Sequence, residues 1–130
     1  MMDVTMDYDA IQKAGSMLGS GAIVMIDDRQ CMVKMLDRMS YFYHEESCGQ
    51  CTPCREGTGW LSRMVNRIEN GQGRYEDLEL LTKVAKGIEG HTICALGDAA
   101  AAPVASFLKH FREEFEYHIE HKKCMVGAAS

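Results

Sequence analysis

The stretch ESCGQCTPCREG, residues 46–57, places three cysteines within seven positions and separates two segments of helical periodicity. Before it, apolar residues recur at intervals of three and four from Cys31 to about His44. After it, Thr52 and Pro53 suit the start of a second helix, because threonine caps helices well and proline fits their first turn. The stretch therefore predicts a loop that joins two helices and carries a group of thiols.

Four helices, each with one apolar face, are expected from Cys31 onward. NGQG, residues 70–73, ends the second helix, and a third follows over about residues 75–88 and ends at Gly90. The last helix is expected to start between Asp98 and Pro103, with Pro103 in its first turn. Short connections between such helices predict a mainly α fold, a four-helix bundle. The buried faces are predicted as Met32, Met35, Leu36, Met39 and Phe42; Trp60, Leu61, Met64, Val65 and Ile68; Leu78, Leu81, Val84, Ala85 and Ile88; and Val104, Phe107, Leu108, Phe111, Phe115 and Ile119.

The two ends of the chain differ from this pattern. Residues 7–14 predict a short helix that ends at Gly15, and the apolar run 22–26 predicts one strand. Because a single strand is not stable alone, we expect it to join a sheet that this chain does not supply. The C-terminal residues KKCMVGAAS, 122–130, predict a frayed tail.

Composition excludes several classes of function. The formal net charge is −5 and no basic stripe occurs, which argues against general nucleic-acid binding. The acidic N-terminus does not resemble a secretory signal, and no apolar run reaches the roughly 18 residues of a membrane span, so no direct membrane insertion is expected. A cytosolic chain with six cysteines points to metal or redox chemistry rather than to disulfides. The ten methionines fall mostly at core spacing and are interpreted as apolar filler.

Cys48, Cys51 and Cys54 form a C-x2-C-x2-C pattern. Thiolates at this spacing on a loop can each bind a different iron of one [4Fe–4S] cubane, which needs a fourth ligand from elsewhere. The predicted start of the second helix adds free N–H groups and a favourable dipole for a negatively charged cluster. Thr52 is the predicted N-cap of this helix. Arg55 and the N–H groups are expected to raise the reduction potential of the cluster.

The fourth ligand must come from Cys31, Cys94 or Cys124. Cys31 adjoins the buried face of the first predicted helix, and Cys124 lies in the predicted tail. Cys94 lies in HTICALGD, residues 91–98, a loop between helices, and is therefore the predicted fourth ligand. Two other interpretations stay open: four cysteines that bind zinc, and a Cys94 that is buried and inert.

Smaller features near the cysteines have competing explanations. Gly49 and Gly57 are expected to let the backbone approach the sulfurs. His44 and His91 either hydrogen-bond a sulfur or are solvated residues at helix ends. A second metal site formed by His118, His121 and Cys124 is possible at helical spacing, but a polar helix face explains the histidines at least as well.

Two long segments carry a family resemblance. ESCGQCTPCREG, followed by GHTICALGDAAAAPVASFLKHFREEFEYHI at residues 90–119, resembles the C-terminal part of the NADH-binding flavoprotein subunit of respiratory complex I, the F subunit of bacterial NADH:quinone oxidoreductase. MDYDAIQKAGSMLGSGAIVMID, residues 6–27, resembles the end of the β-grasp domain, of the soluble-ligand-binding type, that precedes the cluster domain in that subunit.

The resemblance implies three regions: a β-grasp remnant at 1–30 with a short helix and strand, a four-helix iron–sulfur domain at 31–122, and a flexible tail at 123–130. It implies that Cys48, Cys51, Cys54 and Cys94 bind one [4Fe–4S] cluster. In the family that cluster takes single electrons from reduced FMN and passes them towards clusters of the neighbouring large iron–sulfur subunit.

The chain also departs from the complete subunit of that family. It has no G-x-G-x-x-G or comparable segment for FMN and NAD(H), so we expect it to lack NADH oxidation of its own while serving an NADH dehydrogenase. The implied partners are the missing FMN- and NADH-binding part and the iron–sulfur subunits of the peripheral arm, on the cytoplasmic side of the inner membrane. Flavoprotein subunits of NAD-reducing hydrogenases and NAD-dependent formate dehydrogenases share the cysteine pattern. A zinc-stabilised assembly module is the alternative of another class.

Overall fold

The computed structural model describes residues 3–126, which form six helices and, within that range, no strand. The predicted tail is thus described only as far as Val126, and its last residues, 127–130, lie outside the described range. No described helix is both long enough and apolar enough to cross a lipid bilayer. The helices are α1 (Tyr8–Lys13), α2 (Met32–Glu45), α3 (Thr52–Glu69), α4 (Tyr75–Ile88), α5 (Leu96–His110) and α6 (Arg112–His121).

Helices α2 to α5 form the predicted four-helix bundle. In sequence order α2 packs on α3, α3 on α4 and α4 on α5, and α5 closes the arrangement against α2. The short α6 lies against α2, α3 and α5. One apolar core runs between these helices, and its members are Cys31, Val33, Leu36, Leu61, Met64, Val65, Ile68, Leu78, Leu81, Ala85, Ile88, Ala101, Val104, Leu108 and Phe115.

The start of α4 is fixed by a buried carboxylate. Asp77 is fully buried, and its side chain accepts a 2.8 Å hydrogen bond from the backbone N–H of Arg74. The guanidinium groups of Arg67 and Arg74 both pair with the same carboxylate. Because a buried charge needs partners, these contacts lock the end of α3 onto the first turn of α4.

The last predicted helix is two helices, α5 and α6, with a break at Phe111. The backbone of Phe111 is non-helical (φ −127°, ψ 25°), and its N–H still donates to the carbonyl of Phe107 at 2.8 Å. The break turns Phe115 and His118 of α6 into the core, where both are fully buried. Helix α5 also starts earlier than predicted, so Pro103 lies inside it rather than in its first turn.

Three aromatic residues predicted to be buried are exposed: Phe42, Trp60 and Phe111, of which Phe111 lies at the break between α5 and α6 and is 37% exposed. Phe42 is 56% exposed and Trp60 is 51% exposed, whereas the buried residues of α2 are Val33, Leu36 and Ser40. Phe42 and Trp60 each lie at the edge of a helical face, and at helical spacing a face can rotate by one position without losing its periodicity. The predicted faces of α2 and α3 are therefore wrong at these edge positions.

The N-terminal region has its predicted helix but not its predicted strand. Asp7 caps α1 by accepting the N–H of Ala10 at 2.8 Å. Residues 22–26 are irregular, and the side chains of Ile23, Val24 and Met25 are exposed. Within residues 3–126 no second strand is available to pair with this segment, which explains why its apolar pattern does not produce a strand.

Candidate metal centre

All four predicted ligand cysteines line one small cavity of about 110 Å³ at one end of the bundle. Cys48, Cys51 and Cys54 come from the α2–α3 connection and the start of α3, and Cys94 comes from the α4–α5 loop. Cys48 and Cys94 are exposed, and Cys54 is buried. The other residues that line the cavity are Glu46, Ser47, Gln50, Thr92 and Leu96.

The α2–α3 loop is held in shape by its own backbone. Gly49 has φ +77°, a left-handed conformation that a residue with a Cβ adopts at a cost. The Arg55 guanidinium donates a 2.8 Å hydrogen bond to the Gly49 carbonyl. This contact makes Arg55 a brace of the loop that carries Cys48, in addition to the positive charge that the sequence suggests.

Two of the thiols lie at the N-terminus of α3. Cys51, not Thr52 as predicted, is the N-cap; its backbone is extended (φ −89°, ψ 125°) and its carbonyl accepts the Arg55 N–H at 2.8 Å. Cys54 lies in the first turn of the helix. Since the free N–H groups of a helix start favour negative charge, this end of α3 suits thiolates and an anionic cluster.

The α4–α5 loop brings Cys94 to the same cavity. The Thr92 hydroxyl donates to the Cys94 carbonyl at 2.9 Å, and the N–H of Ile93 donates to the Cys51 sulfur at 3.4 Å. Gly97 is buried at the start of α5, and a Cβ built on it would lie only 2.5 Å from the Thr92 hydroxyl oxygen. The loop therefore depends on a glycine at 97 for its position.

Sequence reasoning missed some neighbours of the sulfurs and misassigned others. The Ser47 hydroxyl lies 3.3 Å from the Cys54 sulfur, and neither it nor the Ile93 N–H was signalled by the cysteine pattern. Gly57 does not serve the sulfurs: it is buried against Ile88 of α4, so it allows close helix packing. In the described residues neither His44 nor His91 hydrogen-bonds a sulfur, and His91 instead contacts the Glu89 carbonyl through Nδ1 at 2.7 Å.

The remaining two cysteines lie away from the cavity, beside His118. The ligand atoms of Cys31, His118 and Cys124 all lie within 4.8 Å of one another. Burial raises the pKa of the Cys31 thiol and of the Cys124 thiol. His121, which the sequence places in a possible site with His118 and Cys124, stacks on Tyr117 instead, with ring centroids 4.0 Å apart. Cys124 packs against the core, although the sequence predicts a frayed tail there.

The four cavity cysteines and the Cys31 group differ in how their ligand atoms are arranged. A tetrahedral zinc with Zn–S bonds of about 2.3 Å brings its sulfurs to about 3.8 Å from each other. Among the described residues, Cys31, His118 and Cys124 form a close group of that kind, and the cavity cysteines do not. Ligands that bind different corners of a cubane surround a central space, and these four cysteines line one cavity.

A helical bundle whose loops direct four cysteines at one cavity belongs to the class of iron–sulfur proteins. Residues 34–118 match the family described as the NADH-ubiquinone oxidoreductase-F iron-sulfur binding region. The chain belongs to this family. Membership confirms the expected resemblance and the expected cofactor type, a [4Fe–4S] cluster.

Similar proteins agree with this membership. The chain is 54% identical over 123 residues to the second NADH-quinone oxidoreductase F subunit of Rhizobium meliloti (strain 1021), a match that covers 95% of this chain and 29% of that protein. It is 49% identical to the NADH-quinone oxidoreductase F subunit of Streptomyces coelicolor, over 98% of this chain and 28% of the relative. Both matches place the chain on less than a third of the relative's length.

A solved structure shares the fold. The crystal structure of an NAD+-reducing [NiFe]-hydrogenase in the H2-reduced state contains a region that is 32% identical to this chain, with a TM-score of 0.70. The match covers 73% of this chain and 16% of the hydrogenase chain. The bundle is therefore found in NAD-linked enzymes of more than one kind.

Proposed function

We propose that Cys48, Cys51, Cys54 and Cys94 bind one [4Fe–4S] cluster and that the chain relays single electrons within an NADH:quinone oxidoreductase. The observation that supports this most directly is that two separate loops bring all four cysteines to one cavity in a chain of this family. When bound, a [4Fe–4S] cluster accepts and releases one electron at a time. The protein supplies ligands, orientation and partial exclusion of water.

Different residues around the cavity stabilise the thiolates and adjust the reduction potential of the cluster. The first turn of α3 offers N–H dipoles to Cys51 and Cys54, which stabilise thiolates. The Ile93 N–H and the Ser47 hydroxyl contact the sulfurs of Cys51 and Cys54, and hydrogen bonds of this kind raise the reduction potential of an iron–sulfur site. No bond-making catalytic residue is required, because the proposed chemistry is electron transfer.

The electron donor and acceptor lie in parts of the enzyme outside this chain. We infer that FMN and NAD(H) bind to the remaining two-thirds or more of the subunit, since the chain spans less than a third of the relatives it matches. This segment alone does not oxidise NADH. It passes electrons from FMN to neighbouring iron–sulfur subunits of a peripheral arm, at the cytoplasmic face of the inner membrane.

The exposed side of the cavity supports a role between partners. Ile93 is 87% exposed beside two exposed cysteines, Cys48 and Cys94. Exposure of a large apolar side chain to water is unfavourable, and a cluster beside it would be open to oxygen. A partner protein that covered this surface would bury the side chain and shield the cluster. The same role in the flavoprotein subunit of an NAD-reducing hydrogenase is the second candidate, favoured by the shared fold.

Anaerobic iron analysis tests the ligand assignment. The chain, reconstituted with iron and sulfide, is expected to hold about four irons per chain and to give the signal of a reduced cubane in electron paramagnetic resonance. Cys94→Ser is expected to lose the cluster or convert it to a three-iron form. Cys31→Ser is the matched control, because Cys31 lies outside the cavity.

Two outcomes would contradict the proposal. A full cubane in Cys94→Ser together with its loss in Cys31→Ser would move the fourth ligand to the other end of the bundle. A colourless chain that takes up zinc at Cys48, Cys51, Cys54 and Cys94 but no iron would favour the structural alternative, in which the helices serve only as a docking surface.

A further inference from the structure

A second group of metal-binding side chains lies outside the proposed cluster site. Cys31 and His118 are buried and Cys124 is half-buried, and their ligand atoms all lie within 4.8 Å of one another. The carboxylate of Glu69 adjoins the group: its Oε2 is 3.2 Å from the His118 Nε2 and 3.7 Å from the Cys31 sulfur. Two sulfurs and one imidazole nitrogen therefore form one close group, and a carboxylate oxygen adjoins two of its three members.

We propose that Cys31, Cys124 and His118, with Glu69 as the fourth ligand, form a binding site for one thiophilic divalent cation, zinc in the first place. Tetrahedral zinc accepts thiolate sulfur, imidazole nitrogen and carboxylate oxygen together. Its sulfurs stand about 3.8 Å apart, so ligand atoms within 4.8 Å of each other need only small shifts to close on the ion. Softer sulfur ligands favour zinc over magnesium or calcium.

His118 is oriented as a metal ligand. Its Nδ1 lies 2.8 Å from the Glu114 carbonyl oxygen, a contact in which the Nδ1–H donates. That bond leaves Nε2 as the nitrogen that faces Cys31, at 3.5 Å from its sulfur. Metal-binding histidines are commonly fixed by a hydrogen bond of this kind from the other ring nitrogen to a backbone carbonyl.

Cys31 lies at the start of a helix, where backbone N–H groups partly offset the cost that burial imposes on a thiolate. It is the N-cap of α2, and its sulfur accepts the Lys34 N–H at 3.4 Å. The start of α2 is also tied to α6, because the Glu114 carboxylate accepts the Met32 N–H at 2.9 Å. The positive end of the α2 dipole offsets the negative charge that two thiolates and a carboxylate bring to the ion.

The proposed binding step needs no oxidant or reductant. Each thiol loses one proton to solvent as its sulfur–metal bond forms, and the imidazole donates its free lone pair. The ligands come from the start of α2, the end of α3, α6 and the segment after α6. A bound ion would therefore fasten residues around Cys124 to three helices, a stabilising role separate from electron transfer.

The first experiment measures metal content beside the cluster. The full chain, loaded with its iron–sulfur cluster and then exposed to one equivalent of zinc, is expected to retain one zinc per chain after gel filtration. A second sample, with Cys48, Cys51, Cys54 and Cys94 all changed to serine, removes the other thiols. Titrated with cobalt(II) under reducing, anaerobic conditions, it is expected to show tetrahedral cobalt bands with thiolate charge transfer, displaced by zinc.

Variants in that four-serine background decide which residues bind. Cys124→Ser and His118→Gln are each expected to weaken cobalt binding on the order of a hundredfold, whereas His121→Gln, the matched control on the same helix, leaves it unchanged. Because His118 is fully buried, circular dichroism is used to check that the His118→Gln variant folds. If that variant does not fold, Cys124→Ser, at a half-buried position, decides the test. Absence of cobalt binding, or an equal loss in His121→Gln, would overturn the proposal.

Discussion

The two cysteine-bearing ends of the bundle are built in opposite ways. Helices α2 and α3 run between them: Cys31 caps the start of α2 and Glu69 ends α3, whereas the Cys48 loop lies between the end of α2 and the start of α3. With 14 and 18 residues, these helices separate the two ends by about 21–27 Å. One end presents thiols to solvent from loops, and the other encloses them in the core.

The difference shows which contacts fix the positions of the side chains at each site. At the open end, Cys94 and Cys48 depend on glycine turns and on backbone hydrogen bonds within two short loops. At the enclosed end, Cys31 and His118 are held by the apolar core itself. Damage to the core should therefore lower stability, and damage to a loop should release the cluster with a smaller loss of stability.

The largest effect is expected from Phe115→Ala at the enclosed end. Phe115 is fully buried in α6, and removing a buried phenylalanine ring costs about 3–5 kcal/mol of unfolding free energy. Urea denaturation of the cluster-loaded chain measures this loss. Phe111→Ala, at the exposed break before α6, is the matched control and should cost clearly less. Equal costs would show that α6 is not anchored by its buried face.

A smaller loss of stability, but a selective loss of iron, is expected from Gly97→Ala at the open end. The new Cβ would lie 2.5 Å from the Thr92 hydroxyl oxygen and 2.6 Å from its methyl carbon, so the loop that carries Cys94 must move. Overpacking of this kind costs about 1–3 kcal/mol. Iron analysis after gel filtration should show a several-fold lower occupancy than in the unchanged chain.

Gly87→Ala supplies the control for that measurement. Gly87 lies inside α4, and a Cβ there would meet no atom within 4 Å. Alanine is favoured over glycine in a helix by about 1 kcal/mol, so this variant should be slightly more stable and keep its iron. If Gly97→Ala retained full iron, the position of the Cys94 loop would not depend on that contact.

Most of the bundle follows from local patterns in the sequence. The bounds of α4 and the end of α3 agree with the predictions, and α3 starts within one residue of its predicted start, because glycine, proline and capping residues mark helix ends directly. The break at Phe111 has no such mark: neither glycine nor proline occurs there, and tertiary packing of Phe115 and His118 determines it. Local propensity cannot predict a break of this origin.

The two sites also contain a part that the sequence predicts and a part that it does not predict. The spacing of Cys48, Cys51 and Cys54 in the sequence is enough to predict a common loop, and all three line the cavity with Cys94. The approach of Cys31 to His118 and Cys124 joins residues far apart in the chain, and helical spacing instead suggested His121 as their neighbour. Contacts between distant segments depend on the packed fold, which periodicity along one helix does not contain.

The smallest effect concerns a surface contact at the enclosed end. The Tyr75 hydroxyl, at the start of α4, donates a hydrogen bond to the Glu120 carboxylate of α6. This bond to a negative acceptor favours the neutral phenol and raises the pKa of Tyr75 above its usual value of 10.0. Since the folded-state pKa is the higher one, the contribution to stability is complete below the unfolded pKa and is lost as pH rises through the folded pKa.

Ultraviolet titration of tyrosinate tests this contact. Subtracting the Tyr75→Phe titration from that of the unchanged chain isolates Tyr75, whose midpoint is expected to lie above the ordinary range. Glu120→Gln should lower that midpoint, because an amide accepts the hydrogen bond without the charge. Iron occupancy should stay constant in both variants, since the contact lies at the end of the bundle away from the cluster. A midpoint that does not respond to Glu120→Gln would mean that α4 and α6 are not joined by this bond in solution.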